Sequence, residues 1–281
     1  VTIGNTSFVT LTNNTPIVWN IPTLISAFGC TQEDGSCILT LAAEDDAGNI
    51  NISKITLTID DRAPKAFNIT TNDSNAIVTS ADVINISLNV TDTNTITSVT
   101  LNGTNLTRSG SRYSTVNSTS QFCPGVTNGN CMLTFSAADI AGNENRSETL
   151  SFIVDQATPS VKSLSTSDPD NIIAPTALIN ITANVSDSNG IAAVFFNDTI
   201  PMLLASGNLY TLQNTTSYFC PNITDGSCKL NFTAIDNAGN RNSTETLMVT
   251  VDTSAPAAPN VTQTPSIVTN SDNVTLNITW N

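Results

Sequence analysis

Histidine is absent from these 281 residues, and 9 lysines and arginines stand against 23 aspartates and glutamates, a net charge of −14. Without histidine the commonest general acid–base is missing, and no Ser/His or Cys/His constellation can form. So few cations cannot release counterions from a phosphate backbone, nor hold an anionic bilayer. No apolar run reaches the ~18 residues that a membrane-spanning helix needs. The turn glycines, such as Gly48 before Asn49, precede no helix and make no phosphate cradle. The expectation is a protein without catalytic chemistry, nucleic acid or a bilayer span. No signal peptide opens at Val1, so the chain reads as a mature form or a segment.

Charged residues are only 11%, yet the chain is not of the disordered class, because 39% of it is hydrophobic and alternates in strand-like runs. Asn, Thr and Ser carry the polarity, a mixture that suits pleated strands and turns better than helices. Sequons Asn-X-Ser/Thr start at Asn5, Asn13, Asn51, Asn68, Asn72, Asn85, Asn89, Asn102, Asn105, Asn117 and Asn145. They continue at Asn180, Asn184, Asn197, Asn214, Asn222, Asn231, Asn242, Asn260, Asn273 and Asn277. So many sites point to an exported chain carrying N-linked glycans, and the missing histidine and few charges point to an archaeal cell surface.

The chain repeats itself. Cys30–Cys37 with ILTLAAEDDAGN matches Cys123–Cys131 with MLTFSAADIAGN and Cys220–Cys228 with KLNFTAIDNAGN. Gly48, Gly142 and Gly239 mark periods of 94 and 97 residues, domain-sized rather than the ~20–45 of a solenoid. Within a repeat Ile84, Ile86, Leu88 and Val90 alternate with Asn85, Ser87 and Asn89, as do Leu133, Phe135 and Ala137 with their neighbours. Period-two alternation gives one buried and one wet face, and the sequons at Asn85, Asn89 and Asn231 fall on the wet one. Short strands broken by Gly, Asn and Asp turns read as an all-β chain of sandwiches.

The turn Asp-X-Ala-Gly-Asn (Asp46–Asn49, Asp139–Asn143, Asp236–Asn240) is followed by Asp-X-X-X-Pro at Asp60–Pro64, Asp155–Pro159 and Asp252–Pro256. The pattern resembles the tandem immunoglobulin-like repeats of large prokaryotic surface adhesins. The resemblance implies tandem Ig-like β-sandwich domains in an extended rod, and is nearly silent about any ligand. The local cysteine pairs depart from many such repeats, and the Cys…Trp…Cys pattern of antibody domains is absent.

Phase assigns the boundaries. Val1–Ser7 aligns with Val99–Asn105, a third strand, and Asn277–Asn281 with Asn85–Asn89 and Asn180–Asn184, a second strand. Residues 1–63 then form a domain lacking its first two strands, 64–158 and 159–255 are whole, and 256–281 supplies two donor strands. Val274, Leu276, Ile278 and Trp280 alternate with polar residues and need a partner. Two readings stand: copies joined head to tail into a homopolymer, or a window on one long tandem chain.

Six cysteines in three local pairs, in an exported chain, read as disulfides Cys30–Cys37, Cys123–Cys131 and Cys220–Cys228, since two thiolates per domain cannot build a zinc site. In an Ig-like sandwich the aspartate after the last strand meets two loops of the next domain. Asp60 would meet Asp92 and Asp139, Asp155 would meet Asp187 and Asp236, and Asp252 would meet Asp45 and Asp46 of a following copy. Such sets suit Ca²⁺, which takes 6–8 oxygen ligands; the alternative is that each aspartate only caps its turn. The function expected is a structural subunit of a glycosylated filament or stalk, the alternative a segment of an adhesin or S-layer-like ectodomain. Near-equivalent repeats without variable insertions favour structure over recognition.

Overall fold

The computed structural model describes residues 2–3, 6–7, 30–264, 267, 269–271 and 273–279. Asn5, Asn13 and Trp280 lie outside them. The chain divides into two compact units, Val1–Asp155 and Gln156–Asn281.

The first unit opens with a four-stranded sheet, β2-β1-β3-β4, made of β1 (Thr2–Ile3), β2 (Thr6–Ser7), β3 (Asp34–Glu44) and β4 (Ile50–Asp60). A complete sandwich follows. One sheet holds β5 (Lys65–Thr71), β7 (Val83–Thr91), β10 (Thr107–Ser109) and β11 (Arg112–Ser118), in the order β10-β11-β7-β5. The other runs β6-β14-β12-β8-β9, from β6 (Ile77–Val78), β8 (Ile96–Leu101), β9 (Thr104–Asn105), β12 (Gly129–Asp139) and β14 (Thr149–Val154), with β13 (Glu144–Asn145) also on β12. Period-two alternation makes both sheets half-apolar, so they close on one core of Ile84, Ile86, Leu88, Leu133, Phe135, Phe152 and Val154.

The second unit repeats that sandwich. Strands β15 (Ser160–Thr166), β17 (Leu178–Ser186), β20 (Leu203–Ser206) and β21 (Leu209–Thr215) form one sheet. Strands β16 (Ile172–Ile173), β18 (Ile191–Phe196), β19 (Ile200–Pro201), β22 (Gly226–Asp236), β23 (Arg241–Asn242) and β24 (Thr246–Val251) form the other. Its core centres on Phe196, whose ring meets Phe219 edge-on at 5.2 Å and Phe232 at 6.2 Å. A two-stranded antiparallel sheet, β25 (Asn260–Thr264) with β26 (Thr275–Thr279), ends the described chain.

Alternation has an exception at Ser87, buried on the nominally wet face of β7 because Thr70 Oγ1 and the Arg112 guanidinium both reach its hydroxyl. Two single-turn helices, α1 (Thr119–Phe122) and α2 (Thr216–Phe219), also escape the sequence pattern. Each is too short to show a helical period. Each is fixed by a buried threonine whose N–H donates to a distant carbonyl: Thr119 to Asp82 and Thr216 to Ala177.

The first sheet copies half of a complete sandwich in register. Leu41 and Ala42 of β3 pair with Ile3 and Thr2 as Phe135 and Ser136 of β12 pair with Leu101 and Thr100. Cys37 faces Leu57 and Leu39 faces Ile55, as Cys131 faces Phe152 and Leu133 faces Leu150. From Asn51 to Asp60 the chain has one residue fewer than from Asn145 to Asp155. The extra residue in the complete repeat is absorbed between β13 and β14, where the strand breaks; without it β4 runs unbroken.

Candidate functional site

The same turn closes the hairpin in all three repeats. Asp45 Oδ1 accepts the N–H groups of Ala47 (2.9 Å) and Asn49 (2.8 Å), and Oδ2 accepts Asn49 Nδ2 (2.8 Å). Asp139 does the same for Gly142, Asn143 and the Asn143 amide, and Asp236 for Ala238, Asn240 and the Asn240 amide. The glycine adopts φ of +94° at Gly142 and +93° at Gly239, where other residues are strained. In the first repeat the five-residue turn is Asp45–Asn49, so the capping residue is Asp45 and Asp46 fills the variable second position.

These bonds set the charge. Burial acts to raise the Asp139 carboxyl, but the Asn143 side chain, with the N–H groups of Asn143, Gly142 and Ala141, outweighs it and holds the group below the ordinary carboxylate range. The Asn49 amide, followed by backbone donors, likewise lowers Asp45.

Capping does not exclude convergence. Asp60 leaves β4, Asp92 sits after β7 and Asp139 ends β12, and one carboxylate oxygen of each lies within 4.8 Å of the others. Asn94 Nδ2 donates to Asp60 Oδ2 at 2.8 Å, and Asn143 Nδ2 to the Asp60 carbonyl at 2.9 Å. Asp92 Oδ1 accepts the Asn94 N–H at 2.7 Å. Among the described residues no lysine or arginine forms an ion pair with these three carboxylates. Asp155, Asp187 and Asp236 are their sequence counterparts; Asp155 closes the first unit, and the other two belong to the second. Within that unit Asp187 Oδ1 caps Asn189 N–H at 2.8 Å. Asp252 Oδ1 caps Ser254 N–H at 2.7 Å.

The six cysteines are bonded as Cys30–Cys37, Cys123–Cys131 and Cys220–Cys228. Among the described sequon asparagines none is buried. Asn85, Asn184 and Asn231 are exposed, Asn89 and Asn180 half-buried. In several the amide nitrogen that would carry a glycan is already a donor. Asn72 Nδ2 reaches the Val83 carbonyl (3.1 Å), and Asn145 and Asn242 Nδ2 reach those of Pro64 and Pro159 (2.9 Å each). Sequence reading takes these last two as ordinary sequons; their fixed position after the Asp-X-Ala-Gly-Asn turn was the available signal.

Two apolar faces remain open. Ile55 of β4 is 48% exposed where its counterpart Leu150 is half-buried, and Leu39, Leu41 and Leu57 are half-buried where Leu133, Phe135 and Phe152 are buried. In the terminal hairpin Leu276 is 58% and Ile278 56% exposed, and Val261 and Val274 are exposed too. Their counterparts Ile84 and Ile86 are buried.

Among solved structures, the chain is 18% identical to the fibronectin(III)-like modules of Clostridium thermocellum CbhA, with a TM-score of 0.38, covering 65% of this chain and 93% of that one. A tetra-tandem repeat from the extending region of a large adhesion protein is 19% identical, TM-score 0.32, covering 89% and 71%. Bacteroides ovatus SGBP-B, in complex with a mixed-linkage heptasaccharide, is 16% identical, TM-score 0.20, covering 86% and 59%. No curated protein matches. The family model for the bacterial Ig-like domain matches twice in tandem, over residues 63–156 and 164–253, the greater part of the chain. The chain belongs to the bacterial Ig-like domain family.

Proposed function

We propose that this chain is a structural unit of a glycosylated extracellular filament or stalk, in which the terminal hairpin of one copy covers the open first sheet of the next. The carrying observation is the pair of open faces. In a complete repeat a β5–β7 layer and a β12–β14 layer share one core. The first sheet is the counterpart of the second layer, and β25–β26 is the counterpart of the first. The hairpin exposes Leu276 and Ile278 where Ile84 and Ile86 are buried, and the first sheet leaves Leu39, Leu41 and Leu57 half-buried where Leu133, Phe135 and Phe152 are buried. Covering Leu276, Ile278 and Val274 would contribute roughly 1.5–3 kcal/mol per side chain. The contact is heterologous, so it propagates as a line rather than closing. The role is structural rather than catalytic, in keeping with a chain that lacks histidine.

Two further components belong to this reading. Exposed sequon asparagines, Asn85 and Asn184 foremost, carry N-linked glycans outside the cell. Ca²⁺ stiffens the junction at Asp60, Asp92 and Asp139, where an oxygen-only donor set without a neighbouring ion-paired cation fits a hard divalent ion.

Sedimentation velocity tests the assembly. The wild type should form concentration-dependent linear species, and Ile278→Asp should remain a monomer. A wild type that stays monomeric at tens of micromolar would overturn the reading. A single far longer polypeptide on denaturing gels of the native material would place the same contact within one chain.

A further inference from the structure

Each complete domain is fastened at its start by one asparagine. Asn145 Nδ2 donates to the carbonyl of Pro64, and Asn242 Nδ2 to that of Pro159, at 2.9 Å in both. The Oδ1 atoms are held as well, by the N–H and hydroxyl of Ser147 and of Thr244. In both domains the proline is buried and the asparagine half-buried. The asparagine sits at one ladder position, opposite Ala137 in one domain and Ala234 in the other.

The third set of this contact is open. Asn51 stands opposite Ala43, the same ladder position. It is exposed, and its side chain makes no hydrogen bond among the described residues. Pro256, four residues after Asp252 as Pro64 follows Asp60 and Pro159 follows Asp155, is exposed too. We infer that Asn51 of one copy donates its side-chain amide to the Pro256 carbonyl of a second copy, and that this bond fixes the register in which the terminal hairpin docks. The occupant follows from the repeat: the segment carrying Pro256 leads into β25 as the segments carrying Pro64 and Pro159 lead into β5 and β15. The inference rests on the head-to-tail reading and adds its polar anchor. It also gives Asn51 a role other than glycan carrier, since Nδ2 is the atom a glycan would occupy.

The test pairs two full-length variants. Ile278→Asp leaves a copy with only its head competent, and Leu57→Asp a copy with only its tail competent. Titrating one against the other measures a single head–tail contact. Adding Asn51→Ala to the head copy should weaken the Kd about fivefold to tenfold, the span of one hydrogen bond. Asn51→Asp, which keeps the shape and loses the donor, should weaken it similarly. Ser53→Ala abolishes the sequon but keeps the amide, and should bind within twofold of the parent. Circular dichroism of each variant reports the fold. If the parent pair binds and Asn51→Ala binds equally well, the anchor is refuted while the head-to-tail reading stands. If the parent pair does not bind, both fall.

Discussion

Asn143 donates its side-chain amide to the main-chain carbonyl of Asp60, 83 residues earlier, at 2.9 Å. The same nitrogen lies 2.8 Å from Asp139 Oδ2. One asparagine thus ties the turn of a complete domain to the strand end that precedes it. Asn143→Ala should lower the unfolding free energy by about 1–3 kcal/mol, because Asp139, only 3% exposed, loses a donor. Urea unfolding followed by tryptophan-free probes such as far-ultraviolet dichroism would show a lower midpoint. An unchanged midpoint would reduce the contact to a bystander.

Calcium should raise the melting temperature. At a hundredfold excess over Kd the ion would add about 2.7 kcal/mol. Asp92→Asn removes a carboxylate that serves one backbone N–H rather than a whole turn, so it should erase much of the calcium response while the metal-free protein keeps its fold. Calorimetry with and without a chelator decides this; identical scans would leave the three aspartates as turn caps alone.

Acid should weaken the turns in a stated direction. Asp45 and Asp139 are both held below the ordinary carboxylate value in the folded chain. Their contribution is therefore complete above the unfolded pKa of ~3.9 and disappears as pH falls through the lower folded value. In metal-free buffer, stability should drop as pH falls below the ordinary carboxylate range, and Asp45→Asn with Asp139→Asn should flatten that fall. A steeper fall in the double variant would reverse the sign of the argument.

Glycan occupancy should follow the amide nitrogens. Glycopeptide mapping of protein from a glycosylating host should find Asn85 and Asn184 modified, and Asn145 and Asn242 bare, their Nδ2 atoms being engaged by Pro64 and Pro159. Full occupancy at Asn145 would mean that modification precedes folding and that the strut is dispensable.

The sandwich was readable because alternation such as Ile84-Asn85-Ile86 is a local pattern, and a buried face writes itself at every second position. The Asp60, Asp92 and Asp139 cluster followed from pairing loop ends through the Ig-like topology, and the structure places the three together. Other parts were hidden. The Asn145–Pro64 strut joins positions 81 apart and looks, in sequence, like one more sequon. Ser87 became buried through Arg112, on another strand, which no periodicity reports. The helical turn at Thr119–Phe122 is held by a carbonyl of Asp82, a tertiary cause with no local signature.

Within each complete domain the short strand β6 runs parallel to the last strand, β14, through bonds from Ile153 N–H to Ala76 and Asp155 N–H to Val78. β16 and β24 repeat this through Thr250 to Asn171 and Asp252 to Ile173. Parallel strands near the two ends of a domain slide past one another when those ends are pulled apart. Tension on such a chain strains these hydrogen bonds together, in shear, instead of peeling them one at a time. The resistance then depends on the unfolding rate rather than on equilibrium stability.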